Sequence, residues 1–193
     1  DFFTADGQLW GNPLYDWDAL ARDGYRWWLD RLRAAAELFD AVRFDHFRGL
    51  SSYWRVPYGE TTARNGEWMS GPGLPFIDAV KAALPELMII AEDLGYLTPD
   101  VLDLLAASGF PGMKVLQFAF DAREPSCYLP HTYERRCVCY TGTHDNTTAA
   151  AFFSEAAPDD VAFAVEYLAL TRAEGYVTGL LRGGSSSVAD LFV

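Results

Sequence analysis

The chain has 193 residues, and its 15 Lys and Arg against 27 Asp and Glu give a formal net charge of −12. Half of the residues are hydrophobic and 15% are aromatic, which is typical of a globular chain with a sizeable core and not of a disordered one. Nucleic acids and anionic membranes bind clustered Lys and Arg, and the sequence has no such cluster. We therefore expect neither nucleic acid nor a membrane as a partner.

The sequence also lacks the signals of export. No apolar run approaches the ~20 residues of a membrane span, and residues 1–4 have neither an initiator Met nor the basic start of a signal peptide. We expect that processing or truncation has removed an upstream segment.

The cysteines are Cys127, Cys137 and Cys139, an odd number without a C-x-x-C motif. They predict reduced thiols and a cytoplasmic protein.

The first half of the chain alternates between loops, helices and strands. Residues 1–24 are rich in Gly, Asn, Asp and aromatic residues and predict a structured loop. Apolar residues at helical spacing predict an amphipathic helix over 25–40, and a strand over 41–45 follows. Residues 60–74 predict a long excursion, and residues 74–84 predict a second helix.

The second half repeats this alternation. Apolar runs predict strands over 87–91, 113–120 and 137–141. Helices are predicted over 98–108, with Thr98 as the cap and Pro99 in the first position, and over 158–171 and 174–182. Residues 183–187 predict a turn.

Repeated strand–helix units with nearly continuous apolar strands predict an α/β fold with a parallel sheet. An open doubly wound sheet and a (β/α)₈ TIM barrel are both possible. No Gly-x-Gly-x-x-Gly or Walker motif follows a strand, which weakens the nucleotide-binding open sheet. A complete barrel needs roughly 250 residues. We therefore expect residues 1–193 to be a single catalytic-domain fragment that holds about half of a barrel.

Three of the four predicted strands end at acidic residues, namely Asp45, Glu92 and Asp145. In a barrel, polar residues at these strand ends are typical of catalysis, although a single carboxylate there is as often a helix cap or a loop anchor. Glu92 follows five apolar residues, so burial would favour the protonated form that a general acid requires. Two carboxylates in different environments are the machinery of retaining glycoside chemistry.

Strand alternation places Arg43 and Asp45 on one face, with Val42 and Phe44 on the other. An Arg beside Asp45 would hold this carboxylate ionised, as a nucleophile requires. His46 and His131 are interpreted as packing residues, and His144 alone would be one too. No His, Asp or Glu set has the spacing of metal ligands, so no metal is expected.

Five blocks of the sequence, in the same order, resemble the 4-α-glucanotransferases, also called amylomaltases or disproportionating enzymes, which form glycoside hydrolase family 77 in the α-amylase clan. The blocks are GQLWGNPLY at 7–15, RFDHFRG at 43–49, AEDLG at 91–95, PGMKVLQFAF at 111–120 and YTGTHDN at 140–146. Together they extend over nearly the whole chain. The family's barrel is longer at both ends, so the resemblance implies roughly strands four to seven with their helices and an N-terminal active-site loop.

The resemblance implies a role for each carboxylate. Asp45 matches the family's nucleophile, which forms a β-glucosyl-enzyme intermediate. Glu92 matches the general acid/base, and Asp145 matches the carboxylate that stabilises the transition state. Arg43 and His144 match residues that line the subsite of the reacting glucose.

The same resemblance implies the substrates. Family members transfer α-1,4-glucan segments from a maltooligosaccharide or α-glucan donor to the 4-hydroxyl of a sugar acceptor, without a metal or organic cofactor. The stretch 7–15 matches a loop over the cleft, where Trp10, Asn12 and Tyr15 would bind glucan. Aromatic residues of the lid would exclude water, although ordinary packing explains each of them equally well; they are Phe2, Phe3, Trp10, Tyr15 and Trp17.

The sequence departs from the family pattern at three positions. Phe2 stands where relatives often have Tyr, Phe44 replaces a usual aliphatic residue, and Thr147 stands where Asp is frequent. None of them is one of the three carboxylates. Two alternatives remain: another hydrolase or phosphorylase of the α-amylase clan, and a glucan-binding piece without catalysis. We expect the isolated chain to have little or no activity.

Overall fold

A computed structural model describes residues 4–193. The chain packs as two compact units, one ending at Phe110 and the other extending from Pro111 to Val193. Each unit has its own cluster of buried side chains. The single domain expected over residues 1–193 stays a prediction.

The first unit alternates short helices and four-residue strands. Its elements, in chain order, are α1 (Trp17–Arg22), α2 (Arg26–Ala36), β1 (Ala41–Phe44), a 3₁₀ turn (Phe47–Leu50), β2 (Ser52–Arg55), β3 (Glu67–Ser70), α3 (Gly73–Ala83), β4 (Met88–Ala91) and α4 (Pro99–Ser108). The predicted helices at 74–84 and 98–108 and the strands at 41–45 and 87–91 are confirmed, whereas the helix predicted at 25–40 ends at Ala36.

Strands β1 and β4 pair in parallel, with Ala41 opposite Met88 and Phe44 opposite Ala91. Their inner faces pack on α2, α3 and α4 through a core rich in aromatic rings. Phe44 is buried there and stacks on Phe76 with ring centroids 6.2 Å apart. Val42 packs against the same core, as strand alternation predicts.

Two predictions for the first unit were incomplete. Residues 1–24 contain α1, whose first turn is capped by the Asp16 carboxylate accepting from the Ala19 N–H at 2.8 Å. The excursion predicted over 60–74 contains β3, which pairs antiparallel with β2.

The second unit contains a parallel sheet in the order β5-β6-β7. Its elements, in chain order, are β5 (Gly112–Val115), 3₁₀ turns at Leu116–Ala119 and Pro130–Thr132, β6 (Cys137–Tyr140), α5 (Ala149–Glu155), α6 (Pro158–Tyr167), α7 (Tyr176–Ser185) and β7 (Leu191–Phe192). The strand predicted over 137–141 is confirmed. Helix α5 was not predicted, and the helix expected over 158–171 ends at Tyr167.

The strand predicted over 113–120 was wrong beyond Val115. The chain turns into a 3₁₀ helix there, and the buried side chains are Leu116, Ala119 and Phe120, which is a helical and not an alternating spacing. The turn predicted over 183–187 was also wrong, because α7 continues to Ser185. Gly184 lets this helix approach the Phe192 ring more closely than any side chain would permit.

The α/β class is confirmed, with parallel strands and helices in both units. The strands within residues 4–193 form no closed barrel. Cys127 is exposed, Cys137 and Cys139 are buried, and no disulfide joins these three described cysteines. A search of the described residues finds no helix with the length and apolar character needed to span a bilayer.

Candidate active site

The carboxyl ends of β1 and β4 bring Asp45 and Glu92 to the same edge of the first unit's parallel pair. Glu92 extends the ladder by one residue, since its N–H donates to the Phe44 carbonyl at 2.9 Å. Its own carbonyl accepts from the Phe47 N–H at 3.0 Å. The two carboxylates therefore follow neighbouring strands directly. The sequence predicted a strand end at each of them but not that the two strands are neighbours.

Asp45 extends into solvent, and its side chain is 75% exposed. Arg43 Nη1 lies 2.6 Å from Asp45 Oδ1, and the Arg43 side chain is only 28% exposed. The expected ion pair is thus present, with the cation the better buried partner. It holds the Asp45 carboxylate beside the strand end.

The Glu92 side chain is half-buried and held at both oxygens by backbone donors. The His46 N–H donates to Oε2 at 2.6 Å, and the Leu94 N–H donates to Oε1 at 2.9 Å. The Glu92 carboxylate consequently lies against the turn that follows Asp45. Hydrogen bonds from two loops to one carboxylate fix its direction more firmly than a mobile side-chain partner would.

Further contacts join the loops that follow β1 and β4. Arg48 Nη1 donates to the Tyr96 carbonyl at 2.7 Å, and the Ser51 hydroxyl donates to Asp100 Oδ2 at 2.5 Å. The hydrogen bond from Ser51 lowers the pKa of Asp100. The Arg48 guanidinium also lies 4.8 Å from the Trp68 ring centroid, so it joins β3 to the same loops.

Asp145 lies in the loop after β6 in the second unit, where its side chain is 75% exposed. A local turn holds this loop: the Thr143 N–H donates to Asn146 Oδ1 at 2.8 Å, and the Asp145 N–H donates to Thr143 Oγ1 at 3.2 Å. His144 Nε2 lies 3.5 Å from Asp145 Oδ2. The approach of Asp145 and His144 to the other two carboxylates stays a prediction.

The N-terminal stretch shows two kinds of aromatic residue. Trp10 is 78% exposed, and its indole N–H donates to Gln8 Oε1 at 3.1 Å. Asn12 is exposed as well. Tyr15 instead packs in an aromatic group, with ring centroids 5.2 Å from both Trp17 and Trp28. The ring is 41% exposed, so packing explains much of its position. Phe2 and Phe3 lie outside the described residues.

Two contacts were not predicted from the sequence. They are the hydrogen bond from the His46 N–H to Glu92 and the hydrogen bond from the Arg48 side chain to the Tyr96 carbonyl. His46 was interpreted as a packing residue, whereas its main chain binds Glu92. His131 is exposed, and its ring is held by a hydrogen bond, with Nδ1 2.7 Å from the Tyr167 hydroxyl. No residue-type signal predicts a backbone donor, so only the structure could find the one at His46.

The comparisons with known proteins agree with this geometry. The glycoside hydrolase family 77 model, described as 4-alpha-glucanotransferase, matches residues 1–193. The 4-alpha-glucanotransferase of Clostridium butyricum is 49% identical over 191 residues, and that of Synechocystis sp. is 49% identical over 195. They match 98% and 100% of this chain. The chain therefore belongs to the 4-alpha-glucanotransferase family.

A solved structure supports the same assignment. The amylomaltase from Streptococcus agalactiae in complex with acarbose matches 100% of this chain with a TM-score of 0.90 and 37% identity. The chain spans 39% of that structure and 39% of both relatives. It is thus similar to two-fifths of a 4-alpha-glucanotransferase.

Proposed function

We propose that residues 1–193 carry the catalytic carboxylates of an enzyme that transfers α-1,4-glucan segments between maltooligosaccharides with retention of configuration. The observation that carries this proposal is the position of Asp45, paired with Arg43, and Glu92 at the adjacent ends of two parallel strands. Family membership supports the same activity. The donor would be a maltooligosaccharide or α-glucan, and the acceptor a sugar hydroxyl.

The proposed reaction has two displacements. In the first, Asp45 Oδ attacks the anomeric carbon while Glu92 gives its proton to the glycosidic oxygen, so the leaving sugar departs as an alcohol. In the second, Glu92 takes a proton from the 4-hydroxyl of the acceptor, whose oxygen displaces Asp45. Retaining chemistry requires the two carboxyl groups to lie about 5–5.5 Å apart, which is the separation we expect in a substrate complex.

The remaining residues would act on the reacting glucose. Asp145 would grip its hydroxyls in the transition state, with Arg43 and His144 lining the same subsite. Trp10, Asn12 and Tyr15 would contact the glucan chain over the cleft. The exposed Trp10 indole supports this role, since sugar faces stack on open aromatic rings. The similar amylomaltase with bound acarbose supports a glucan-like ligand.

We also propose that the two compact units are parts of one incomplete TIM-barrel catalytic domain, roughly strands four to seven of the barrel. High structural similarity to part of an amylomaltase supports this. Three cysteines without a disulfide are compatible with a reducing compartment, and we propose the cytoplasm.

The test uses a chimeric enzyme in which residues 1–193 replace the matching 39% of the Clostridium butyricum relative. Incubation with maltotriose should give both longer and shorter glucans. Glucose and maltose alone would instead indicate a hydrolase. Binding of maltooligosaccharide without any products would indicate the non-catalytic alternative.

Two donors, one whose leaving group needs a proton and one whose leaving group does not, distinguish the role of Asp45 from that of Glu92. Asp45→Asn should abolish transfer from every donor and leave glucan binding largely intact. Glu92→Gln should lose transfer from maltotriose by about 10²–10⁴-fold, yet still release fluoride from an α-maltosyl fluoride, whose leaving group needs no proton. Labelling of another carboxylate by an activated fluoroglycoside would refute the assignment of Asp45. The isolated chain should show little or no activity in these assays.

A further inference from the structure

His46 has a backbone conformation that is uncommon for a residue other than glycine. Its φ of 51° and ψ of 53° lie in the left-handed region, where the Cβ of an L-residue crowds the following carbonyl. Strand β1 precedes this turn and a 3₁₀ helix follows it. The left-handed residue therefore turns the chain sharply, immediately after Asp45.

This conformation turns two successive N–H groups, those of His46 and Phe47, towards the same residue, Glu92. The His46 N–H donates to Glu92 Oε2 at 2.6 Å, while the next N–H, that of Phe47, donates to the Glu92 carbonyl at 3.0 Å. Two successive backbone donors after β1 thus bind one residue of the neighbouring strand. An extended residue at position 46 would direct these two successive N–H groups to opposite sides of the chain, so they could not both bind Glu92.

The surrounding turn fits this conformation. The Gly49 N–H donates to the His46 carbonyl at 2.8 Å and closes the turn. A Cβ at Gly49 would lie 3.1 Å from His46 Cδ2, so glycine leaves room for the imidazole. The imidazole itself is exposed, and its place in the turn does not depend on burial.

We infer that the left-handed turn at His46 is a positioning device for the general acid/base, in which the main-chain N–H of residue 46 aims the Glu92 carboxylate at the glycosidic oxygen. This inference rests on the proposed function, because it needs Glu92 to transfer the proton. It assigns the positioning role to the backbone of His46, so the imidazole is dispensable.

Three substitutions at this position in the chimeric enzyme separate the backbone from the side chain. Glycine and asparagine both tolerate the left-handed region, whereas a β-branched residue strongly disfavours it. All three remove the imidazole. We expect His46→Gly and His46→Asn to keep most of the transfer from maltotriose, and His46→Val to lose about 10²-fold in kcat, as a small misplacement of a catalytic group does.

A donor that needs no acid shows whether the activity lost in His46→Val is lost at the proton-transfer step. In His46→Val, the first-turnover release of fluoride from α-maltosyl fluoride should stay close to that of the unsubstituted chimera, because this step needs no acid. The matched control is Ala169→Val. Ala169 is exposed in the second unit and has a φ of 50°, so valine there imposes the same strain in a unit that does not contain Glu92. This control should lower the thermal stability without changing the ratio of the two rates.

The outcomes are distinct. Equal transfer by His46→Val and His46→Gly would overturn the inference, and so would an equal loss in all three variants, which would assign the role to the imidazole. A parallel loss of fluoride release in His46→Val would indicate general damage and also overturn it. If Glu92→Gln still transferred from maltotriose, the proposed function itself would fail, whichever residue occupied position 46.

Discussion

Arg43 and Asp45 form an ion pair of 2.6 Å across Phe44, whose ring lies in the core on the opposite face of the same strand. Strand alternation is the cause of this arrangement, since side chains two residues apart point to one face. The buried Phe44 anchors the strand end, and the ion pair projects from it. A four-residue strand thus couples the position of the proposed nucleophile to the packing of the core.

We predict that Arg43→Met in the chimeric enzyme lowers kcat/KM for maltotriose by about 10²-fold, because the Asp45 carboxylate loses the cation that holds it in place. Arg43→Lys should recover only part of this loss, since an ammonium group lacks the rigid fork of a guanidinium. Steady-state kinetics on both variants measures the difference.

Thermal unfolding of the same two variants provides the control. Asp45 is 75% exposed, and an exposed ion pair contributes only about 0–1 kcal/mol to stability. The melting temperature should therefore change little. A large drop in melting temperature together with the lost activity would show that Arg43 is structural and contradict the prediction.

The parts of the site that follow from residue type and period could be predicted. The alternation of Arg43, Phe44 and Asp45 predicted which face each occupies, and the apolar runs before Asp45 and Glu92 predicted two strands of a parallel sheet. These predictions depend on the two-residue period of a strand and on the burial of parallel sheets. Both are properties of local sequence.

Features that depend on backbone dihedral angles could not be predicted. His46 is left-handed without being glycine, and histidine adopts that region at only a minority of positions, so its residue type does not predict the turn. The apolar run after Val115 fits a strand and a 3₁₀ helix equally in composition. Tertiary packing of Leu116 and Phe120 decides between them, and that packing involves distant residues.

Phe44 should be essential for the stability of the first unit. We predict that Phe44→Ala lowers the free energy of unfolding by about 3–5 kcal/mol, because its ring is lost from a close-packed aromatic core. Phe39→Ala is the matched control: its ring is 61% exposed, and the expected change is within about 0.5 kcal/mol. Urea unfolding followed by tryptophan fluorescence measures both, since all six tryptophans precede Phe110 in the sequence. Similar values for the two variants would contradict the core position of Phe44.

The three thiols should divide into one reactive and two protected groups. Cys127 is exposed, Cys137 and Cys139 are buried, and burial raises the pKa of Cys139, which disfavours the reactive thiolate. With a chromogenic disulfide reagent at pH 8, we predict rapid modification of one thiol and modification of the other two at least about 10²-fold more slowly. Cys127→Ser should remove the rapid phase alone. More than one rapid thiol in the folded chain would refute this.

Asp121 and Arg123 form a forked contact in the second unit. Arg123 Nε donates to Asp121 Oδ1 at 2.8 Å, Nη2 donates to Oδ2 at 2.6 Å, and the backbone N–H of Arg123 donates to Oδ1 at 2.9 Å. These donors lower the pKa of Asp121 from 3.8 to about 2. A measurement of the Asp121 pKa therefore tests whether Arg123 holds this carboxylate as the structure shows.

Because the pKa of Asp121 is lower in the folded chain than its ordinary value, the unfolded chain binds the proton more tightly. The contact therefore stabilises the folded chain above about pH 3.8, and this contribution is lost as the pH falls towards about 2. Titration of the Asp121 carboxyl carbon by NMR should show a midpoint near 2. Arg123→Ala should raise the midpoint towards 3.8, and Arg123→Lys should give an intermediate value, because lysine keeps the charge and the backbone donor but not the fork. A midpoint that stayed the same in Arg123→Ala would show that the guanidinium does not hold the carboxylate in solution.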